Sequence, residues 1–254
     1  MIDKTEIKSR FRKSVETYDD NAHVQKLIVD RLCTLLEKYT GRTPGRILEI
    51  GCGTGLLTNR ILRQWHPGEM IVNDLVEEMC YKTINKNSGN ALTLSCLPGD
   101  IEEISLDGTF DLIVSTSTFQ WFTHPRQTFE KLASHLRPGG LLLFTTFGEQ
   151  NLHELRQVTG KGLNYLSGTE LTKMLAAYFD VTEREESLET LYFSDPLDIL
   201  RHVKKTGVNA TGKTEIWTKL KIELFAQKYS CYFLSGGKYP LTYHPLYFVC
   251  RKSS

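Results

Sequence analysis

No run of the 254 residues approaches the roughly 18 uninterrupted apolar residues of a membrane-spanning helix, so no membrane span is expected. The opening MIDKTEIKSRFRK has no apolar core, so no secretory signal is expected either. Basic and acidic residues nearly balance, 31 against 30, for a net charge of +1. A general nucleic-acid binder carries a marked basic excess, and that class is excluded. The six cysteines (Cys33, Cys52, Cys80, Cys96, Cys231, Cys250) form no CxxC pair, which argues against a zinc cluster or a disulfide framework and for reduced thiols in a cytoplasm. His124, His153 and His202 have no metal-like spacing, so they are expected at the surface or packed, with no bound metal. What is present is ordinary for a soluble enzyme: 40% apolar and 24% charged residues in a length that suits one large domain, expected as a monomer.

Apolar positions Val24, Leu27, Ile28, Leu32, Leu35, Leu36 and Tyr39 fall on one helical face over residues 20–39. Beyond Pro44-Gly45 the pattern alternates. Short strands are expected at 46–50, 70–74, 91–97, 110–115 and 141–147, with helices at 56–65, 76–85 and 125–136. Strand–helix alternation of this kind implies a doubly wound α/β fold whose ligands sit at the carboxyl ends of the strands. Further on, helices are expected at 152–157 and 169–179 and a strand at 181–193. Asp195-Pro196 is a cap-plus-proline start for a helix to about 205, a second helix should span 214–228, and a strand at 241–251 closes the chain. The organisation expected is a single domain, 1–254: an N-terminal helical cover (1–45), a cofactor-binding core (46–147) and a substrate-side half (148–254). A helical lid, about 195–236, is inserted before the last strand.

Between the first strand and its helix stands Glu49-Ile50-Gly51-Cys52-Gly53-Thr54-Gly55. A dinucleotide fingerprint would need a small residue at position 56, where this chain has Leu56. Glycines at 51, 53 and 55 after an acid instead resemble the first motif of class I S-adenosylmethionine-dependent methyltransferases, in which bare backbone lets the methionine moiety approach. Such a loop is by itself a weak signal, but two carboxylates add to it. Asp74 ends the second strand, where an acid can accept both ribose hydroxyls. Asp100 follows the third strand, where the resemblance implies an acid for the adenine amino group, with Ile101 flanking the ring. Phe110-Asp-Leu-Ile-Val-Ser115 and Leu136-Arg-Pro-Gly-Gly-Leu141 complete that pattern, and the resemblance adds Leu75, Ser115 and Ser117 to the cofactor set. The fold implied is a mostly parallel seven-stranded sheet.

Outside this core a narrower resemblance appears. Phe11-Arg12-Lys13-Ser14 leading to Tyr18-Asp19-Asp20-Asn21-Ala22 and Gln25, then Ser117-Thr118-Phe119-Gln120-Trp121-Phe122, Gly148-Glu149 with Asn151 and Glu154-Leu155, Arg201 with Lys204 and Thr206-Gly207, and Leu241-Thr-Tyr-His-Pro-Leu246 are similar to the malonyl-[acyl-carrier protein] O-methyltransferases of biotin synthesis. That resemblance implies methyl transfer from S-adenosylmethionine to the free carboxylate of a malonyl thioester on acyl carrier protein, leaving S-adenosylhomocysteine. A carboxylate is already deprotonated at neutral pH, so the chemistry needs positioning and exclusion of water rather than a general base. No Asn-Pro-Pro-Tyr-like motif follows the fourth strand, which speaks against methylation of nucleic-acid amino groups.

Within that reading Tyr18 meets either the substrate or the methionine carboxylate, and Gln25 begins the helix that covers the cofactor. Gln120 orients a substrate oxygen, Phe119 and Trp121 wall the substrate side unless they are ordinary core, and Arg201 on the lid forks onto the malonyl carboxylate. Arg201, Lys204, Lys205 and Lys213 form an acid-free stretch, and Lys8, Arg10, Arg12 and Lys13 a second. Either suits an acidic carrier protein, with Lys204 and Lys205 as docking candidates, or is a solvated face. The alternative is a methyltransferase acting on a free small-molecule carboxylate, oxygen or carbon, which needs no docking surface.

Overall fold

The computed structural model describes residues 2–87, 93–206 and 217–253. In chain order the helices are α1 (Lys4–Ser14), α2 (Tyr18–Asn21) and α3 (His23–Tyr39), followed by β1 (Arg46–Ile50), α4 (Leu56–Trp65), β2 (Glu69–Asp74), α5 (Glu77–Asn87), β3 (Leu94–Pro98) and β4 (Phe110–Ser115). A short 3-10 turn, Phe119–Trp121, leads to α6 (Pro125–Ser134), β5 (Leu136–Phe147), α7 (His153–Thr159), α8 (Gly168–Leu175), β6 (Asp180–Glu186) and β7 (Glu189–Phe193). Then come α9 (Pro196–Lys205), α10 (Lys219–Phe233), β8 (Tyr239–Tyr243) and β9 (Pro245–Arg251).

Seven strands form the main sheet in the order β3-β2-β1-β4-β5-β9-β6, parallel from β3 to β5 and antiparallel at β9 and β6. The central strands bury residues pointing to both faces, as sheets sandwiched between helices must. Leu32, Leu36 and Ile61 of α3 and α4 join Ile47, Val72 and Val114 in one core. Phe129 and Leu132 of α6 and Leu175 of α8 join Leu48, Ile113 and Phe144 in the other. The order reverses between β1 and β4, so the crevice above their carboxyl ends is where this topology places a ligand.

The strands and helices expected from 46 to 147 form, with β3 confined to Leu94–Pro98; Ala91 lies outside the described residues. Helix α9 starts where Asp195-Pro196 implies, the Asp195 carboxylate accepting the Leu197 N–H at 2.8 Å. Three expectations change. The run 181–193 breaks at Ser187 into β6, on the main sheet, and β7, which pairs with β8 in a separate two-stranded sheet. The run 241–251 breaks at His244 into β8 and β9. Its cause is the loop 148–151: the His244 N–H bonds Asn151 Oδ1 at 3.2 Å, Gln150 N–H bonds His244 Nδ1 at 3.2 Å, and a Cβ on Gly148 would lie 2.6 Å from that ring. The helix expected at 214–228 runs instead from Lys219 to Phe233, capped by Thr218, and residues 207–216, Lys213 among them, lie outside the description. Within the expected N-terminal helical cover, helix α1, whose bounds were not expected from the sequence, is capped by Asp3, whose carboxylate accepts the Glu6 N–H at 3.1 Å.

Candidate active site

Strand β1 delivers the chain into the crevice at Gly51, whose φ of +69° favours glycine. A Cβ there would stand 2.0 Å from Thr118 Oγ1, so the loop and the segment after β4 pack backbone against side chain. The next turn is clamped by β2: Cys52 N–H bonds the Asn73 carbonyl and Gly53 N–H bonds Asp74 Oδ2, both at 2.9 Å. Asp74 Oδ1 accepts the Val76 N–H at 2.8 Å. Each carboxylate oxygen is thus fixed by one backbone donor and keeps a lone pair toward the crevice. Burial lifts the Asp74 carboxyl to about 6, against the pull of those two N–H groups.

Above the loop lies a cleft of about 780 Å³, counting the space at its mouth that is open to solvent. One wall is Asp74, Leu75 and Met79; the next is Gly99, Asp100 and Ile101; a third, after β4, is Thr116, Ser117, Thr118 and Trp121. Helix α1 closes it with Lys4, Ile7 and Phe11, and the Phe11 ring meets Trp121 edge-on at 5.9 Å and 85°. Lys4 bonds both Asp100 and Glu102. Burial works against its charge, but those two carboxylates prevail and raise its pKa. A second recess of about 340 Å³ runs on past Gln25, Cys52 and Thr54. Tyr18, Gly51, Gly53, Thr116 and Ser117 border both spaces and form a waist between them. Burial, then the charge of Asp74, keeps the Tyr18 phenol protonated far above neutrality, so it serves there as a hydrogen-bond donor.

Two buried side-chain polar atoms in the described residues have no hydrogen-bond partner, Ser117 Oγ and Trp121 Nε1, and both residues line the cleft. Ser117 also adopts a φ of +54°, a strained conformation for a residue with a Cβ.

Of the residues singled out from sequence, the structure brings Tyr18, Gln25, Gly51, Cys52, Gly53, Asp74, Leu75, Asp100, Ile101, Ser117 and Trp121 to the two spaces. Glu49 lies behind the loop, fully buried, accepting the Thr58 hydroxyl at 2.5 Å; burial lifts its carboxyl to about 8. Gly55 is the left-handed cap of α4, packed near Thr83 and Asn87. The Ser115 hydroxyl bonds the Ile50 carbonyl at 2.8 Å inside the sheet. Phe119 stacks on Phe144 at 4.2 Å, and Phe144 on Phe248 at 5.1 Å, so Phe119 is core rather than a wall of the substrate side. Gln120 turns from the cleft, its Nε2 donating to the Ser117 carbonyl at 2.6 Å and its Oε1 accepting Thr146 Oγ1 at 3.4 Å. Arg201 is exposed on α9 and paired with Asp198 at 2.5 Å, apart from the cleft lining; Lys204 and Lys205 are exposed on the same helix. On α1, Arg10 pairs with Glu6 and Arg12 with Glu78, so that stretch is no bare basic patch. His202 is packed, held to about 4 by burial, with Nε2 2.8 Å from the Tyr243 hydroxyl. Lys4, Ile7 and Phe11 were missed, although Asp3 followed by Glu6, with apolar residues at 7 and 11, is a legible helix start.

Among the described residues no helix is long and apolar enough to cross a membrane, and no group of three or more His, Cys, Asp and Glu is arranged to hold a metal ion.

Comparison with known proteins gives concordant matches. A family model described as a methyltransferase domain matches residues 21–182. The Malonyl-[acyl-carrier protein] O-methyltransferase of Calditerrivibrio nitroreducens is 41% identical over 246 residues, covering 97% of this chain and 96% of that protein. The protein of the same name from Bacteroides fragilis is 39% identical over 97% of this chain, which spans only half of that relative's length. Among solved structures, the N-methyltransferase NodS from Bradyrhizobium japonicum in complex with S-adenosyl-L-homocysteine matches with a TM-score of 0.55 at 16% identity, covering 89% of this chain and 87% of its own.

Proposed function

The chain belongs to the Malonyl-[acyl-carrier protein] O-methyltransferase family, and from that premise we propose that its cleft transfers a methyl group from S-adenosylmethionine to the free carboxylate of a malonyl thioester borne by acyl carrier protein. The observation that carries the reading is the reach of the likeness: the match at 41% identity spans 97% of the chain, well beyond the cofactor-binding half. The ester product carries no charge and is the form that, by the family resemblance, enters biotin synthesis.

The residues present fit the methyl donor. Asp74 offers one lone pair from each oxygen to a ribose diol. Asp100 and Ile101 suit an adenine edge and face, and the bare backbone at Gly51 and Gly53, with Tyr18 and Gln25, suits the methionine end. When bound, the sulfonium supplies an activated methyl group. The chain's own share is to orient the two reactants and to keep water out, for which α1 and α2 form the cover. No side chain has to take a proton, since a malonyl carboxylate is ionised at neutral pH. Lys204 and Lys205 on α9 give the acidic carrier protein a surface on which to dock. The same reading places the enzyme in the cytoplasm, where its six free cysteines stay reduced.

The test is incubation with malonylated carrier protein and isotopically labelled methyl donor, followed by mass analysis of the pantetheine arm. Label on the malonyl group supports the reading. Label absent there but present on malonate or another free acid would replace the substrate with a small molecule.

A further inference from the structure

Resting on that reading of the substrate, we propose that the malonyl carboxylate is held by two neutral donors, Trp121 Nε1–H and Ser117 Oγ–H, and not by a cation. Both atoms are buried and unpartnered, and both residues line the cleft. A buried donor without an acceptor is costly to maintain, and such groups in folded proteins are rare enough to call for a ligand. Trp121 is only 8% exposed, in an otherwise apolar setting beside Ile7 and Phe11, so its indole N–H has no other outlet.

The two donors are rigid. Ser117 is locked on both sides of its strained backbone: its N–H bonds Thr145 Oγ1 at 3.0 Å, and its carbonyl accepts Gln120 Nε2 at 2.6 Å. Trp121 is fixed by its backbone N–H on the Thr118 carbonyl at 3.0 Å and by the Phe11 edge. Gln120, which the sequence suggests as a substrate ligand, is thus a positioning residue that holds Ser117 in its conformation. Ser117 also borders the waist between the two spaces, next to Gly51 and Gly53, so a carboxylate on its hydroxyl lies beside the loop that meets the methionine end.

The absence of a nearby cation has a chemical logic. Among the described lining residues Lys4 is the one cation, and Asp100 and Glu102 already hold it. During transfer an oxygen lone pair becomes the O–CH3 bond, the S–C pair returns to sulfur, and no proton moves. The carboxylate's charge is consumed, so a fixed guanidinium beside it would stabilise the starting anion more than the transition state and slow the step. Two dipolar donors hold and aim the group at a smaller ground-state cost.

The test pairs Trp121→Phe, which keeps the ring and deletes the N–H, with Ser117→Ala. Each should lower kcat/KM for malonyl-carrier protein by about 10- to 100-fold, the range for losing one hydrogen bond to a charged acceptor, while in Trp121→Phe calorimetric affinity for S-adenosylhomocysteine stays within about 2-fold. The readout specific to carboxylate recognition is the binding preference for malonyl- over acetyl-carrier protein, which differ by that group alone. The preference should shrink in each variant with acetyl binding unmoved. Wild-type kcat/KM in Trp121→Phe, or an equal loss of malonyl and acetyl binding, overturns the inference. A wild-type enzyme inert toward malonyl-carrier protein overturns the substrate reading itself, and this inference with it.

Discussion

Replacing Asp74 by Asn should make the empty protein more stable at neutral pH and the cofactor weaker to bind. The carboxyl titrates near 6 against an ordinary 3.8, a difference worth about 3 kcal/mol at 1.36 kcal/mol per pH unit. This is an upper figure, because the side chain still faces the cleft. Its pKa is raised in the folded state, so that stability is present below about pH 3.8 and is lost as pH rises through about 6. Asn never pays it. Its amide NH2 must, however, face one of the two N–H groups, of Gly53 or Val76, that the carboxylate satisfies, at a cost of about 1–2 kcal/mol. The variant should therefore be about 1–2 kcal/mol less stable than wild type at pH 4 and about 1–2 kcal/mol more stable at pH 7.5, with a crossing between. Urea unfolding across that range reads the difference directly. Calorimetry at pH 7.5 should show affinity for S-adenosylhomocysteine lower by about 1–3 kcal/mol, since a ribose diol loses an anionic acceptor. A variant less stable than wild type at pH 7.5 would refute the electrostatic account, and one that binds the nucleoside as tightly would refute the ribose assignment.

Glu49→Gln should be close to wild type in stability at pH 4, where both side chains are neutral. It should avoid the loss of several kcal/mol that wild type suffers as pH rises from about 4.5 through 8, because the unfolded chain ionises there while the buried carboxyl resists; thermal midpoints at pH 4 and 9.5 that shift alike in both proteins would contradict this. Reversing Lys204 and Lys205 to Glu should raise KM for malonyl-carrier protein several-fold and flatten its dependence on salt, with cofactor affinity unchanged. An unaltered KM at low ionic strength would move the docking surface off α9.

The cofactor half of this fold was legible because its signals are local. A glycine loop after a strand, an acid at the end of the next strand and another after the third are fixed by backbone geometry within a few residues, and Asp74 and Asp100 stand where their spacing implies. The substrate half was less legible because its features depend on contacts distant in sequence. The alternation of 181–193 and 241–251 does not reveal that Ser187 and His244 pass the chain from one sheet to another, since the His244 bend is set by the loop 148–151, nearly a hundred residues earlier. Likewise Phe119 and Trp121 are both aromatic, two residues apart. Only the turn they share decides that one stacks on Phe144 and the other lines the cleft with its indole N–H unpaired. Arg201 looked suited to an anion by its chemistry, yet it lies on the outer face of α9 beside Asp198.

Strand β9 enters the main sheet between β5 and β6, and β6 has no other partner in that sheet. Residues 180–186 therefore have nothing to pair with until residues 245–251 arrive, after both α9 and α10. Folding must close loops of about sixty and about a hundred residues before this edge of the core exists, a topology that slows the search and leaves β5 and β6 with unpaired edges meanwhile. It also ties the segment from β7 to β8 to the body at both ends. The chain leaves the main sheet after β6, runs through β7, α9 and α10 and returns through β8 to β9, so an unravelling of α9 and α10 pulls on the strand that alone holds β6 to the sheet.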